Sequence, residues 1–324
     1  MAAVLLRLPR RVRLSPETYR QVTLLALVLL SAIIVTGGAV RVTGSGLGCP
    51  DWPTCADGNL APELFRPTTG HATIEFVNRL VTGLVSVAVM VAVLGSLARV
   101  PRRRDLTWLS LSLVGGVIGQ IVLGGITVLT HLHPVAVQSH FLLSLVIVAC
   151  AVALHERAGW PDGEASERPA SRVRYASWVA LILLVPAIAA GTVLTGTGPH
   201  GGDPEAQRFA LNPPSVAQVH GVLVEVFTAA LVVALVVAWR SGASRRALTR
   251  GSVAVAVAIG QSVVGYTQYF TGVPALLVAV HIAGATALWI AVLRFHISLT
   301  PAAGVEAGHV GGGASRRISR ISSP

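Results

Sequence analysis

Residues 22–40 read VTLLALVLLSAIIVTGGAV, nineteen consecutive positions without a charged side chain. At the α-helical rise of about 1.5 Å per residue, such a run crosses the roughly 30 Å of hydrocarbon in a bilayer. Basic residues before it (Arg7, Arg10, Arg11, Arg13 and Arg20) would also suit a secretory signal. A signal's apolar core is only about 7–15 residues long, so this run is expected to stay in the protein as its first spanning helix. Seven more stretches of similar length and apolarity follow, and the predicted spans are 21–41, 72–97, 107–129, 134–154, 175–195, 215–239, 251–270 and 274–295. The chain of 324 residues is 53% hydrophobic and 12% charged, where a soluble domain carries about 25% charged residues. The expected fold is an all-α integral membrane protein with eight transmembrane helices.

Arginine sets the orientation, because short cytoplasmic loops hold the excess of positive charge. Of the 25 basic residues, 21 fall on one side. They are the five of the N-terminal tail; Arg99, Arg102, Arg103 and Arg104 after the second span; Arg157, Arg168, Arg172 and Arg174 after the fourth; Arg240, Arg245, Arg246 and Arg250 after the sixth; and Arg294, Arg316, Arg317 and Arg320 at the end. The opposite loops hold Arg41, Arg66 and Arg208. Both termini are therefore expected in the cytoplasm, with the chain multi-pass in the cell membrane. The net charge of +11 is then topology, not the water-exposed basic face that phosphates require, and no nucleic-acid partner is expected. Lysine is absent and Ala, Val and Gly abound, as in a GC-rich bacterial genome. Expected organisation is a cytoplasmic tail 1–20, a four-helix half 21–155, a cytoplasmic linker 156–174, a second half 175–296, and a Gly-, Ser- and Arg-rich disordered tail 297–324.

The halves resemble each other. Gly119-Gln120-Ile121-Val122-Leu123-Gly124 in the third span recurs as Gly260-Gln261-Ser262-Val263-Val264-Gly265 in the seventh, an offset of 141 that also carries His140 onto His281. Asn78 stands where the sixth span has His220, and Thr43-Gly44-Ser45-Gly46 answers Thr195-Gly196-Thr197-Gly198. With an even number of spans per half, the units point the same way. Two tandem four-helix bundles related by a pseudo-two-fold axis along the membrane normal are expected.

Ionisable side chains inside a bilayer are costly and mark function. His140, His220 and His281 each lie about 10 Å inside spans that enter from the extracytoplasmic side, so they share one level. Imidazoles at one depth on neighbouring helices suit axial ligation of heme iron; the bland reading is polar glue between helices. Zinc is disfavoured because no segment clusters His and Cys. His131, His133 and His200 are expected in solvent or at the interface, and His155, His296 and His309 on the cytoplasmic side without a catalytic role. Cys150, alone in an apolar run, reads as a small hydrophobe.

In the second span, spacings of four and seven put His71, Glu75 and Asn78 on one face. Glu75 is a candidate for proton transfer, and an i,i+4 ion pair with Arg79 is the structural alternative. Glu225, five after His220 and off its face, reads as a polar contact. Beyond the first span, the glycines from Gly37 to Gly48 permit tight turns without the preceding strand of a phosphate cradle. Cys49 and Cys55, on the oxidising side, favour a disulfide, with an exchangeable pair as the alternative.

The stretch from Gly37 to Cys55, with Gly-Ser-Gly-Leu-Gly-Cys-Pro-Asp-Trp-Pro at its core, the Glu-Phe-Val-Asn-Arg segment at 75–79, and histidines at 140, 220 and 281 resemble the heme A synthase family. That resemblance covers nearly the whole chain. It implies an oxidoreductase that converts the C8 methyl of heme O to the formyl of heme A by successive hydroxylations, for terminal oxidases. It implies heme b held by His220 and His281, substrate heme ligated by His140, Glu75 in the reaction, and a Cys49–Cys55 disulfide. It also implies heme O synthase (the protoheme farnesyltransferase) and an electron acceptor as partners, beside membrane lipid. Many family members carry a histidine where this chain has Asn78. Ligation by His140 alone is the expectation here, with Asn78 and His71 as candidate substrate-heme contacts.

Two other classes compete. A b-type diheme electron carrier would stack its hemes at two depths, whereas these ligands share one level. A transporter of parallel repeats would break helices at the midplane, and only Pro186 offers such a break.

Overall fold

The computed structural model describes residues 13–62, 70–162 and 171–299. Eight helices carry the chain: α1 (Pro16–Val42), α2 (Gly70–Ala98), α3 (Arg104–Leu129), α4 (Pro134–Ala158), α5 (Ser171–Thr197), α6 (Pro213–Arg240), α7 (Arg245–Phe270) and α8 (Ala275–Ser298). All eight are long and apolar enough to cross a membrane. The helices overrun most of the expected spans because capping, not apolarity, sets their ends. Ser15 accepts the Thr18 N–H before α1 and Ser244 that of Ala247 before α7. Pro134 and Pro213 open α4 and α6, where the missing N–H costs nothing.

Side chains divide by face. Leu24, Leu25 and Val28 of α1, Leu84 and Met90 of α2 and Val263 of α7 are exposed, as lipid-facing residues are. The seams use small residues that let backbones approach: Ala92, Ala151, Ala234 and Ala254 are fully buried. A methyl at Gly251 would sit 2.9 Å from the Phe295 ring. Larger residues, Tyr19, Leu113, Phe227 and Leu231, fill the remainder of the core.

Within each half, consecutive helices pack together, as do α1 with α4 and α5 with α8. Between halves, α1 touches α8, α4 touches α5, and α4 touches α8. This set of touching pairs is unchanged when α1 to α4 are exchanged with α5 to α8. Trp289 of α8 donates its indole N–H to the Leu145 carbonyl of α4 at 2.9 Å, buried in the central seam.

Three features at the arginine-rich end add to the sequence picture. Helix α4 runs through Glu156 to Ala158, so the polar stretch opens later than the expected linker start. Glu156 is 3% exposed and binds Arg294 at 2.8 Å, Arg250 at 2.6 Å and Arg246 at 3.4 Å. His155 and His296 are buried structural ties: His155 Nδ1 is 3.2 Å from Thr23 Oγ1 and His296 Nδ1 is 3.0 Å from Ser177 Oγ. Residues 1–12 and 300–324 of the expected tails, His309 among them, lie outside the described residues, whereas 16–20 belong to α1 and 297–298 to α8.

Candidate heme site

At the opposite end of the bundle, His220 of α6 and His281 of α8 face each other with ring centroids 6.4 Å apart and planes at 84°. His220 Nδ1 lies 2.9 Å from the Ala187 carbonyl oxygen of α5. A carbonyl only accepts, so Nδ1 carries the proton and Nε2 keeps its lone pair for a metal. The ring packs where α5 has Gly191; a methyl there would sit 3.0 Å from His220 Cε1. On α7, a methyl at Gly265 would sit 3.3 Å from His281 Cε1. The buried His281 Nδ1 has no hydrogen-bond partner among the described residues, and such an orphan points to a missing ligand.

The spacing fits one iron. A metal–imidazole bond of about 2 Å and about 1.1 Å from nitrogen to ring centre, counted on both sides, place two axial rings roughly 6 Å apart. Zinc would need two more protein ligands, whereas a macrocycle supplies its own equatorial nitrogens.

His140 of α4 repeats half of this arrangement. A methyl at Gly124 would lie 3.4 Å from its Cε1, and its Nδ1 is likewise buried without a partner. Gln120 holds the local backbone, donating to the His140 carbonyl at 3.0 Å and to Ser144 Oγ at 2.6 Å. All three histidines sit at one depth: six residues after Pro134, seven after Pro213 and six after Ala275. Where the second half has His220, α2 presents Asn78, whose Oδ1 accepts from Thr36 Oγ1 of α1 at 2.7 Å.

The outer part of α2 is zipped to α1 and its following loop along the face that sequence spacing defines. His71 Nδ1 bonds Ser45 Oγ at 2.8 Å. Glu75, 6% exposed, accepts the Cys49 N–H on Oε2 at 2.8 Å and binds Arg79 through Oε1 at 2.6 Å. Arg79 also donates to the Thr54 carbonyl at 2.8 Å and the Cys49 carbonyl at 3.1 Å. Glu75 is thus a buried carboxylate beside the loop, paired with the i,i+4 arginine. Cys49 and Cys55 form a disulfide with Cα atoms 4.2 Å apart. Gly48 lies so close to the backbone of His71 that no side chain would fit. The Trp52 ring seats on α3, 2.9 Å from where a methyl at Gly125 would be, beside the glycine that faces His140.

The remaining sequence candidates are scattered. His133 caps α4, His131 is exposed, and His200 Nε2 lies 2.8 Å from the Val273 carbonyl. Glu225 is a polar contact as expected, its partner being the Tyr266 hydroxyl at 2.8 Å. Cys150 packs partly buried against the core. The residues whose contacts sequence reading did not supply are Arg41, Glu156 and the pair His155 and His296. The pair had a signal, since it is separated by the same 141 positions as His140 and His281.

Comparison with known proteins agrees with this arrangement. Heme A synthase of Lysinibacillus sphaericus (strain C3-41) is 32% identical over 130 residues, 40% of this chain and 41% of the relative. Heme A synthase of Listeria monocytogenes serovar 1/2a is 29% identical over 133 residues, 41% of this chain and 43% of the relative. Heme A synthase of Bacillus licheniformis is 29% identical over 123 residues, 38% and 39% of the two chains. The matched part spans about two-fifths of each relative's length. The family described as COX15-CtaA, cytochrome oxidase assembly protein, matches residues 20–293, a stretch that takes in all eight helices but for the ends of the first and last. With its histidine pair, disulfide loop and eight spans accounted for, this chain belongs to the COX15-CtaA family of cytochrome oxidase assembly proteins.

Proposed function

We propose that the chain is a heme A synthase, oxidising the C8 methyl of heme O to the formyl of heme A. The observation that carries this reading is the facing pair His220 and His281, with rings 6.4 Å apart, in a chain of this family. Heme b bound there would supply one-electron redox chemistry. His220 is fixed in the tautomer that leaves Nε2 free, and Gly191 and Gly265 leave room for the two rings. In the other half, His140 would hold substrate heme O, with Asn78 and His71 beside it. Glu75 would take up protons released as the methyl carbon is oxidised. The disulfide loop, clamped by Glu75 and Arg79 and seated by Trp52, would cover the outer end of that half.

The same reading covers the surroundings. Two tandem four-helix bundles related by an axis along the membrane normal are supported by the exchangeable contact pattern and the 141-residue offset. Arginine distribution supports cytoplasmic termini in the cell membrane. Heme O would come from the protoheme farnesyltransferase; turning its methyl into a formyl removes four electrons and four protons and adds one oxygen atom from water, the electrons leaving to a separate acceptor. Co-expression with that farnesyltransferase in a host lacking heme A, followed by chromatography and mass analysis of extracted hemes, tests this. Heme A is the expected product; unmodified heme O alone would favour the diheme carrier. The Glu75→Ala variant should keep bound heme yet yield no formyl product. Arg79→Gln, which loosens the loop clamp but leaves the carboxylate, should retain more activity.

A further inference from the structure

Arg41 closes α1 on the side opposite the arginine clusters, and its guanidinium crosses the seam between the halves. Nε donates to the His200 carbonyl at 2.7 Å and Nη2 to the Thr195 carbonyl at 2.9 Å. Thr195 bonds back to the Gly191 carbonyl, and Gly191 is the residue against which the His220 ring packs. That places Arg41 about one helical turn, roughly 5 Å, above His220. On α1 itself, Gly38, three residues earlier, lies against Ile282, the neighbour of His281.

Arg208, in the loop between α5 and α6, reaches the same turn: its Nη2 donates to the Pro199 carbonyl, next in the chain to the His200 carbonyl that Arg41 binds. Its own hydrogen bonds run to the main-chain carbonyls of Ala206, Pro199 and Asp203. Arg79, Arg99, Arg103, Arg250 and Arg294 each have a carboxylate partner. Among the described residues, neither Arg41 nor Arg208 has one. A guanidinium at the end of a spanning helix, satisfied only by carbonyl dipoles and with a second guanidinium on the adjacent carbonyl, is costly unless an anion joins the two. A guanidinium fork matches a carboxylate in particular.

We propose that Arg41 and Arg208 form a carboxylate site that takes the propionates of the heme bound between His220 and His281. The inference rests on the heme-binding reading of that pair. It fixes the macrocycle's orientation, with the propionate edge toward the extracytoplasmic loops and the apolar edge toward the bundle.

The test uses full-length protein in nanodiscs, expressed under heme limitation and titrated with iron protoporphyrin IX or its dimethyl ester while Soret absorbance is followed. Wild type should bind the free acid about tenfold more tightly than the ester, the worth of one or two charged hydrogen bonds. Arg41→Gln and Arg208→Gln should each bring that ratio toward one. Because Arg41 also staples α1 to α5, Arg208→Gln, whose contacts stay within its own loop, separates binding from folding. A wild type indifferent to esterification, or variants that keep the full preference, would overturn the propionate assignment while leaving the histidine pair intact. Uptake of neither compound by wild type would remove both.

Discussion

Behind each candidate ligand stands a glycine: Gly124 for His140, Gly191 for His220 and Gly265 for His281. These glycines matter for space, since none is at a turn. A branched side chain at Gly191 or Gly265 would push the imidazole out of line, so Gly191→Val and Gly265→Val should purify with well under half the wild-type heme per polypeptide, measured by pyridine hemochrome. Unchanged stoichiometry would mean that the rings do not depend on that space. The histidines were legible in the sequence because ionisable residues are rare in apolar runs and because the repeat carries His140 onto His281; that a glycine packs against each ring was not. The Ala187 carbonyl that orients His220 was not, since every residue has a carbonyl and its direction exists only after folding. Arg41 was hidden for the same reason: both of its partners are main-chain oxygens.

At the scale of elements, all eight helices were legible from apolar length, while their ends were not. Ser15 and Ser244 begin helices in polar sequence that hydropathy assigns to loops. Glu156 shows the consequence. It looked like the first residue of a polar linker, but it closes α4 inside a ring of three arginines from α7 and α8, tying the first half to the second. Removing one partner of a buried ion cluster leaves uncompensated charge, so Glu156→Gln should cost about 3 kcal/mol, read as a lower melting temperature in detergent. No change would mean that the arginines are satisfied elsewhere. The disulfide loop was legible as a closed loop. Its clamp depends on Glu75 and Arg79 reaching main-chain groups of Cys49 and Thr54, contacts that no spacing rule encodes.

For the whole molecule, the repeat and the arginine bias together describe how the chain sits. Reporter fusions at either terminus should be active only in the cytoplasm, and a cysteine introduced at Asp203 should react with an impermeant maleimide added outside intact cells; the opposite labelling would invert the bundle. The halves differ where their chemistry differs. Two imidazoles face each other in the second half, while the first has His140 and an amide; on the proposed function, the imidazole pair would hold its heme permanently and the His140 site would exchange its own. That asymmetry stands on the His220 and His281 pair. The most direct measurement is the reduced-minus-oxidised optical spectrum of purified protein beside His220→Ala and His281→Ala variants folded to the same yield. The account predicts a six-coordinate b-type spectrum in the wild type that is lost in both variants. Colourless wild type, or variants with the spectrum intact, would contradict it.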